Sequence, residues 1–202
     1  MNNYAELMFT EAVAALQKEA DTDWRFRDSY KHRTKDKLGI SERKFIESRR
    51  SFYVASLSEN GWPYVQHRGG DVGFVKVTGP TQIACADYRG NQQFITQGNL
   101  RTQKRVSVFM IDYVQKTRLK LQGHATLTAI ADAEKDVVDL LDLSPPAERV
   151  LVIDVVALDW NCPKYIPDYY PPEVVVNAVK QAVVPLQEEI ASLKARLSDQ
   201  SD

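Results

Sequence analysis

The stretch SFYVASLSENGWPYVQHRGG, Ser51–Gly70, decides the fold. Ser51–Ser58 is rich in aromatic and β-branched residues, Asn60-Gly61 is the commonest two-residue hairpin turn, and Tyr64–Arg68 resumes an extended pattern. Pro63 cannot donate a ladder hydrogen bond, so it belongs at the start of the second strand or on an edge. Working outward, the pattern predicts strands at Gly73–Val77, Gln82–Ala86, Val106–Tyr113, Leu119–Ile130 and Val150–Leu158. One short helix is expected from Asn91 to near Gly98, and a second over Asp132–Leu143 with Asp132 as N-cap. Six or seven strands with hairpin-like spacing and only short helical inserts predict a mainly β chain with flanking helices (α+β). Its sheet is expected to form an antiparallel barrel, not a doubly wound parallel sheet.

On the N-terminal side, Tyr4, Leu7, Met8, Ala12, Ala15 and Leu16 have the spacing of one amphipathic helix over residues 4–20. Arg25–Arg50 carries ten Lys/Arg against four Asp/Glu, a local charge of +6. Acids interrupt those positives. The segment therefore reads as a solvated connector into a short helix at Ser41–Arg49. On the C-terminal side, Val176, Val179, Val183, Leu186, Ile190, Leu193 and Leu197 alternate spacings of three and four, a heptad seam. The seam either covers its own barrel or joins two copies, and Pro185 is expected to kink or divide the helix. The expected organisation is an N-terminal helix and basic connector over 1–40, a barrel over 41–167, and a heptad-patterned helix over 173–198.

Composition narrows the function. The 202 residues carry a net charge of −1, so no basic excess points to nucleic acid. No apolar run reaches the roughly 20 residues of a membrane span, and the first residues lack an export signal, so the cytoplasm is the expected compartment. Cys85 and Cys162 lie far apart without CxxC companions, and two free thiols are expected. His32, His67 and His124 sit on separate segments, which gives a zinc or haem site little support. GxSxG and GxxxxGK[ST] motifs are missing from the sequence.

Four stretches carry chemistry. In Tyr64–Gly70 a strand puts Tyr64, Gln66 and Arg68 on one face and Val65 and His67 on the other. Polar side chains on a buried-type strand need partners, which a planar heteroaromatic ligand offers. Gly69, Gly70 and Gly73 serve a flexible turn or give backbone clearance for a ligand. Ala86–Gln93 (ADYRGNQQ) leads from an apolar strand through a Gly-containing turn into the expected helix. Asn91 as cap, free amides and Arg89 would together attract a phosphate. In Arg118–Gly123 alternating polar residues would line one barrel face, and Asp159–Pro167 (DWNCPKYIP) ends the last strand with Trp160 and Asn161.

Together, GWPYVQHRGG (Gly61–Gly70), ADYRGNQ (Ala86–Gln92) and DWNCPKYIP (Asp159–Pro167) resemble the pyridoxamine 5′-phosphate oxidase-like, flavin-nucleotide-binding proteins. The resemblance covers about Ile40 to Pro167. It implies a split β-barrel of the FMN-binding type that forms a homodimer, with FMN in clefts at the subunit interface. Val65, Gln66, His67 and Arg68 match the flavin-contacting strand, and Asp87, Tyr88, Arg89, Asn91 and Gln92, with neighbouring Gln93, match the phosphate-binding turn. Arg118 fits the polar position before a barrel strand, while Trp160 and Asn161 fit the region that approaches the partner's cofactor. The implied activity is an FMN-dependent oxidoreductase on a small-molecule substrate, with His67 as candidate general acid and Arg68 or His67 as the charge beside the reduced ring. A carrier or sensor of flavin, or a barrel that binds haem or a deazaflavin, is the alternative. The founding oxidases carry an Arg-Lys pair where this chain has Asn91-Gln92, and a substrate-gripping Arg/His segment where it has NCPKYIP. Pyridoxamine phosphate oxidation is therefore not carried over.

Overall fold

A computed structural model describes residues 3–31, 35–144 and 147–198. Among them, β1 (Ser51–Leu57) and β2 (Pro63–Gly69) form the expected hairpin. Its turn is longer than the two residues predicted. The Gly61 N–H donates to the Ser58 carbonyl (2.9 Å), the Ser58 N–H donates to the Trp62 carbonyl (2.9 Å), and Gly61 sits at φ +79°. A type I turn that closes on a left-handed glycine absorbs the extra residue, which suits Gly61 better than Asn60.

The hairpin opens a seven-stranded sheet with β3 (Val75–Gly79), β4 (Gln82–Tyr88), β5 (Arg105–Asp112), β6 (Thr117–Ala129) and β7 (Ala147–Asn161), in the order β2-β1-β5-β6-β7-β4-β3. Every pairing is antiparallel. Pro63 opens β2, which is an edge strand, so both of its expected roles hold. At the β6–β7 bulge a Cβ on Gly123 would lie 2.5 Å from the Asp154 carbonyl oxygen, so only glycine fits this irregular pairing. β2 and β3 share no hydrogen bonds although the sheet rolls towards itself. Phe52 of β1 stacks on Phe74, just before β3, at 5.8 Å, and Arg68 of β2 pairs with Asp87 of β4. Side chains thus bridge a seam that the backbone leaves open, which makes the barrel split.

The barrel interior holds Phe52, Val54, Val75, Ile83, Val108, Met110, Leu119, Leu121, Leu151 and Ile153, all essentially buried. Each such side chain contributes roughly 1.5–3 kcal/mol on burial. β4 is buried on both faces, Ile83 and Cys85 inside and Ala84 against a smaller cluster of Val137, Leu141 and Val150. The helix expected over Asp132–Leu143 is instead a 3-10 turn at Ile130–Asp132 and a short α6 (Lys135–Val138) with Glu134 at its N-cap. Asp132 caps nothing there because it ends the 3-10 turn.

The N-terminal helix is divided: α1 (Tyr4–Met8) and α2 (Glu11–Glu19) are separated by Phe9 and Thr10. Asn3 caps α1 through the Ala5 and Glu6 amides. Buried Asp36 accepts from the N–H of Tyr4 (2.9 Å) and of Leu158 (3.0 Å), fastening this end to β7. The basic segment is more than a connector, since it contains α3 (Asp23–Lys31) before the expected helix, α4 (Ile40–Glu47). His32, Arg33 and Thr34 of that segment lie outside the described residues.

Two compact units result, Met1–Asp112 with Thr117–Pro163, and Tyr113–Lys116 with Lys164–Asp202. In the second, Lys116 pairs with Asp168 at 2.7 Å, Tyr113 meets Tyr169 edge-on at 5.5 Å, and α7 (Pro172–Ser198) runs without interruption through Pro185. The expected division at Pro185 does not occur. Among the described residues no helix is long and apolar enough to cross a membrane, and no group of His, Cys, Asp and Glu could hold a metal.

Candidate functional site

The candidate site opens on the split seam. β2 alternates half-buried and exposed positions, so Tyr64, Gln66 and Arg68 share one face, as expected, and that face turns inward while Val65 and His67 turn outward. Across the seam, β4 delivers Asp87 and Tyr88 from its apolar run. Between β4 and α5 (Ile95–Thr102) the chain loops over the opening, and a cavity of about 290 Å³ lies beneath it.

A chain of charges forms the floor. Asp87 is buried, its Oδ1 accepting from Arg68 Nη1 and its Oδ2 from Arg149 Nε at 2.8 Å. One carboxylate therefore compensates two largely buried guanidinium groups, a geometry in which each partner needs the other. Arg149 also reaches Glu148 at 3.2 Å, and Glu148 lies 3.8 Å from Arg89. The group Arg68, Arg89, Arg149, Asp87 and Glu148 has one positive charge in excess. Cys85 lies directly beneath, and burial, partly offset by Arg68, pushes its thiol up to about 12. Burial and Asp142 likewise raise Tyr88, whose hydroxyl donates to the Asp142 carbonyl (3.2 Å), so it enters the site as a neutral phenol.

Two residues that line the cavity each hold a buried polar atom without a hydrogen-bond partner: Arg68 Nε, a donor, and Gln97 Oε1, an acceptor. Such atoms are uncommon in folded proteins because each loses its water without replacement, at a cost of about 1–3 kcal/mol. Neighbouring polar groups are satisfied within the protein. Thr96 Oγ1 donates to Gln66 Oε1 at 2.6 Å and Asn99 Nδ2 to Ser56 Oγ at 2.9 Å, which fixes α5 against β2 and β1.

The turn expected to bind phosphate differs from its expected form. Asn91 does not cap a helix; its Oδ1 accepts from the Gln93 N–H (3.2 Å) in a local turn. Gln92 and Phe94 adopt left-handed φ of 62° and 54°, so α5 starts only at Ile95 and runs past Gly98 to Thr102. Both values are uncommon for non-glycine residues, and the bulk of Phe94 makes its conformation costlier. No side chain caps α5, and its first-turn residues Ile95, Thr96 and Gln97 line the cavity. Arg89 is mostly exposed, and its Nε and Nη2 donate to the amide oxygen of Gln92, oriented to match its neighbours, at 3.0 and 2.9 Å. The glycines of β2's end serve packing: a Cβ on Gly70 would lie 2.7 Å from that of Phe74, and Gly73 sits at φ +88°.

The cavity thus gathers Gln66, His67, Arg68, Asp87, Tyr88, Arg89, Asn91, Gln92 and Gln93. His67 only borders it, with its ring edge-on to Tyr53 (5.5 Å) on the outer face. The structure does not bring Val65, Arg118, Trp160 or Asn161 there. Val65 is exposed, and Arg118 donates to the Cys162 carbonyl while pairing in register with Asn161. Trp160 packs edge-on against Phe45 at 4.9 Å and donates to Glu42 Oε1 at 2.8 Å. Sequence reasoning missed Arg149 and the α5 residues Thr96 and Gln97. Arg149 stands two residues into β7, at the mouth of a strand that reads as plain apolar core, and only its pairing with Asp87 reveals a role.

The model of the family described as pyridoxamine 5′-phosphate oxidase matches residues 41–158, more than half of the 202-residue chain, and the chain belongs to that family. No curated protein matches it. Among solved structures it is similar to an FMN-binding protein from Syntrophomonas wolfei subsp. wolfei, at 15% identity over 73% of this chain and 97% of that one, TM-score 0.43. It is also similar to HupZ of Group A Streptococcus, at 12% identity over 65% and 99%, TM-score 0.46. A third is a Clostridium acetobutylicum protein related to general stress protein 26, at 11% identity over 67% and 95%, TM-score 0.43.

Proposed function

We propose that this chain binds FMN in the seam cleft and acts as an FMN-dependent oxidoreductase on a small-molecule substrate, as a homodimer. The observation that carries the reading is that two residues lining the cavity, Arg68 and Gln97, each hold a buried polar atom, Nε and Oε1, without a hydrogen-bond partner. An isoalloxazine carries ring acceptors beside a ring N–H, so it offers both a donating guanidinium and an amide side chain groups of the complementary kind. The residues present fit that group. Arg68 donates, Gln97 accepts, Thr96 holds the Gln66 amide in one orientation, and the side chains of Tyr64, Phe74 and Phe94 offer apolar contact. For the phosphate, the uncapped α5 N-terminus and Arg89 replace the expected Asn91 cap. FMN, when bound, supplies the redox chemistry; the protein supplies position, a dry floor and fixed positive charge.

The cavity is open, and its volume lies at the lower end of the roughly 300–1,000 Å³ of ligand sites. A second copy seated on the seam would enclose the ligand, and Arg118, Trp160 and Asn161 would then be read as residues facing a neighbour's cleft.

The outward turn of His67 favours a second reading, a flavin carrier or sensor without turnover, because the one candidate acid only borders the cavity. Purified protein decides between them. An absorbance band near roughly 450 nm and release of FMN by mass support the cofactor, while a sharp Soret band or a deazaflavin mass overturns it. Bleaching by NADH or NADPH followed by reoxidation in air supports turnover; a bound flavin that neither donor bleaches supports the carrier.

A further inference from the structure

The helix α7 presents its apolar seam to solvent as far as its own unit is concerned. Val176, Val179, Val183, Leu186, Ile190 and Leu193 are all exposed, from 39% at Val183 to 57% at Leu186. Their spacing averages 3.5 residues, the repeat that keeps one stripe facing a partner as two helices supercoil.

We propose that the α7 helices of two copies of this chain pair in parallel and in register as a two-stranded coiled coil. The proposal rests on neither the cleft nor its ligand. In heptad terms the a positions are Val176, Val183, Ile190 and Leu197, the first three β-branched, and the d positions are Val179, Leu186 and Leu193. β-Branched residues at a with leucine at d favour two parallel strands over three or four.

The flanking charges select the same arrangement. The e positions hold Lys180, Gln187 and Lys194, and the g positions Ala182, Glu189 and Arg196. In a parallel pair each g residue faces the next e residue of the other helix, so Glu189 meets Lys194 twice by symmetry. In an antiparallel pair e faces e and g faces g. One register then sets Lys180 against Lys194 and Glu189 against Glu189; the other leaves Glu189 facing Ala182. Of these three arrangements only the parallel one brings opposite charges together. Pro185 falls at c, on the side away from the seam, so its ring stays out of the interface.

Disulfide trapping in the full chain tests this locally, whatever the barrels do. In a Cys162→Ser background, with Cys85 buried, a single cysteine replaces either Leu193 at d or Glu188 at f. Under mild oxidation the Leu193→Cys chain is expected to form covalent dimers at least tenfold faster than the Glu188→Cys chain. Adding Lys194→Glu should slow trapping, and adding Glu189→Lys as well should restore it. Circular dichroism verifies that each variant stays folded. Equal trapping at 193 and 188, or a charge-reversed pair as slow as Lys194→Glu alone, overturns the proposal.

Discussion

The floor and the rim of the seam cleft are built on opposite principles. On the floor, Asp87, Arg68 and Arg149 are largely buried, each charge compensated by another, and they sit on strands whose register the barrel core dictates. On the rim, Arg89, Asn91, Gln92 and Phe94 are exposed, two of them left-handed, and Arg89 is paired only loosely. Floor residues are tied to folding as well as to binding, whereas rim residues can change without disturbing the barrel.

That contrast can be broken by mutation. Asp87→Ala leaves two buried guanidinium groups facing each other and should destabilise the chain by roughly 3–5 kcal/mol in a urea melt. A loss no larger than that of a surface substitution would make the floor no different from the rim. Chemical reactivity should divide the molecule next. Burial lifts Cys85 from 9.0 to about 12, so at pH 8 its thiolate fraction is about a thousandfold below that of an ordinary thiol, and a thiol reagent should label Cys162 alone. Linkage has a definite sign here. The unfolded thiol ionises first, so its contribution is intact below pH 9.0 and is lost as pH rises towards about 12.

Smaller effects sharpen the boundary between the two regions. Thr96→Val removes the hydrogen bond to Gln66 and should cost about 1–3 kcal/mol in the same melt, together with flavin affinity, since the amide is no longer held. Arg89→Ala should change stability by less than about 0.5 kcal/mol. It should weaken FMN by about 1 kcal/mol and leave riboflavin unchanged, because the mostly exposed guanidinium is screened by water and partly engaged by Glu148. Equal losses for both ligands in a binding titration would remove Arg89 from the phosphate.

The strands were legible because their signals are local. Alternation in Tyr64–Arg68 and the apolar run of Gln82–Ala86 follow from pleat geometry and burial. That Gln66 and Arg68 share one face was readable for the same reason. The rim was not, since a left-handed Phe94 contradicts local preference and is held by surroundings that no short window contains. Arg149 was hidden because its meaning comes from Asp87, 62 positions away in sequence. Likewise, a break at Phe9-Thr10 competes with a helical period that continues straight across it.

The most direct test of the cleft is a fluorescence titration of flavin-free protein with FMN, repeated on Arg68→Leu and Gln97→Leu. The account predicts one FMN per chain, with affinity at least tenfold weaker in each variant. Saturable FMN binding that both substitutions leave untouched, or no binding to the parent protein, would contradict it.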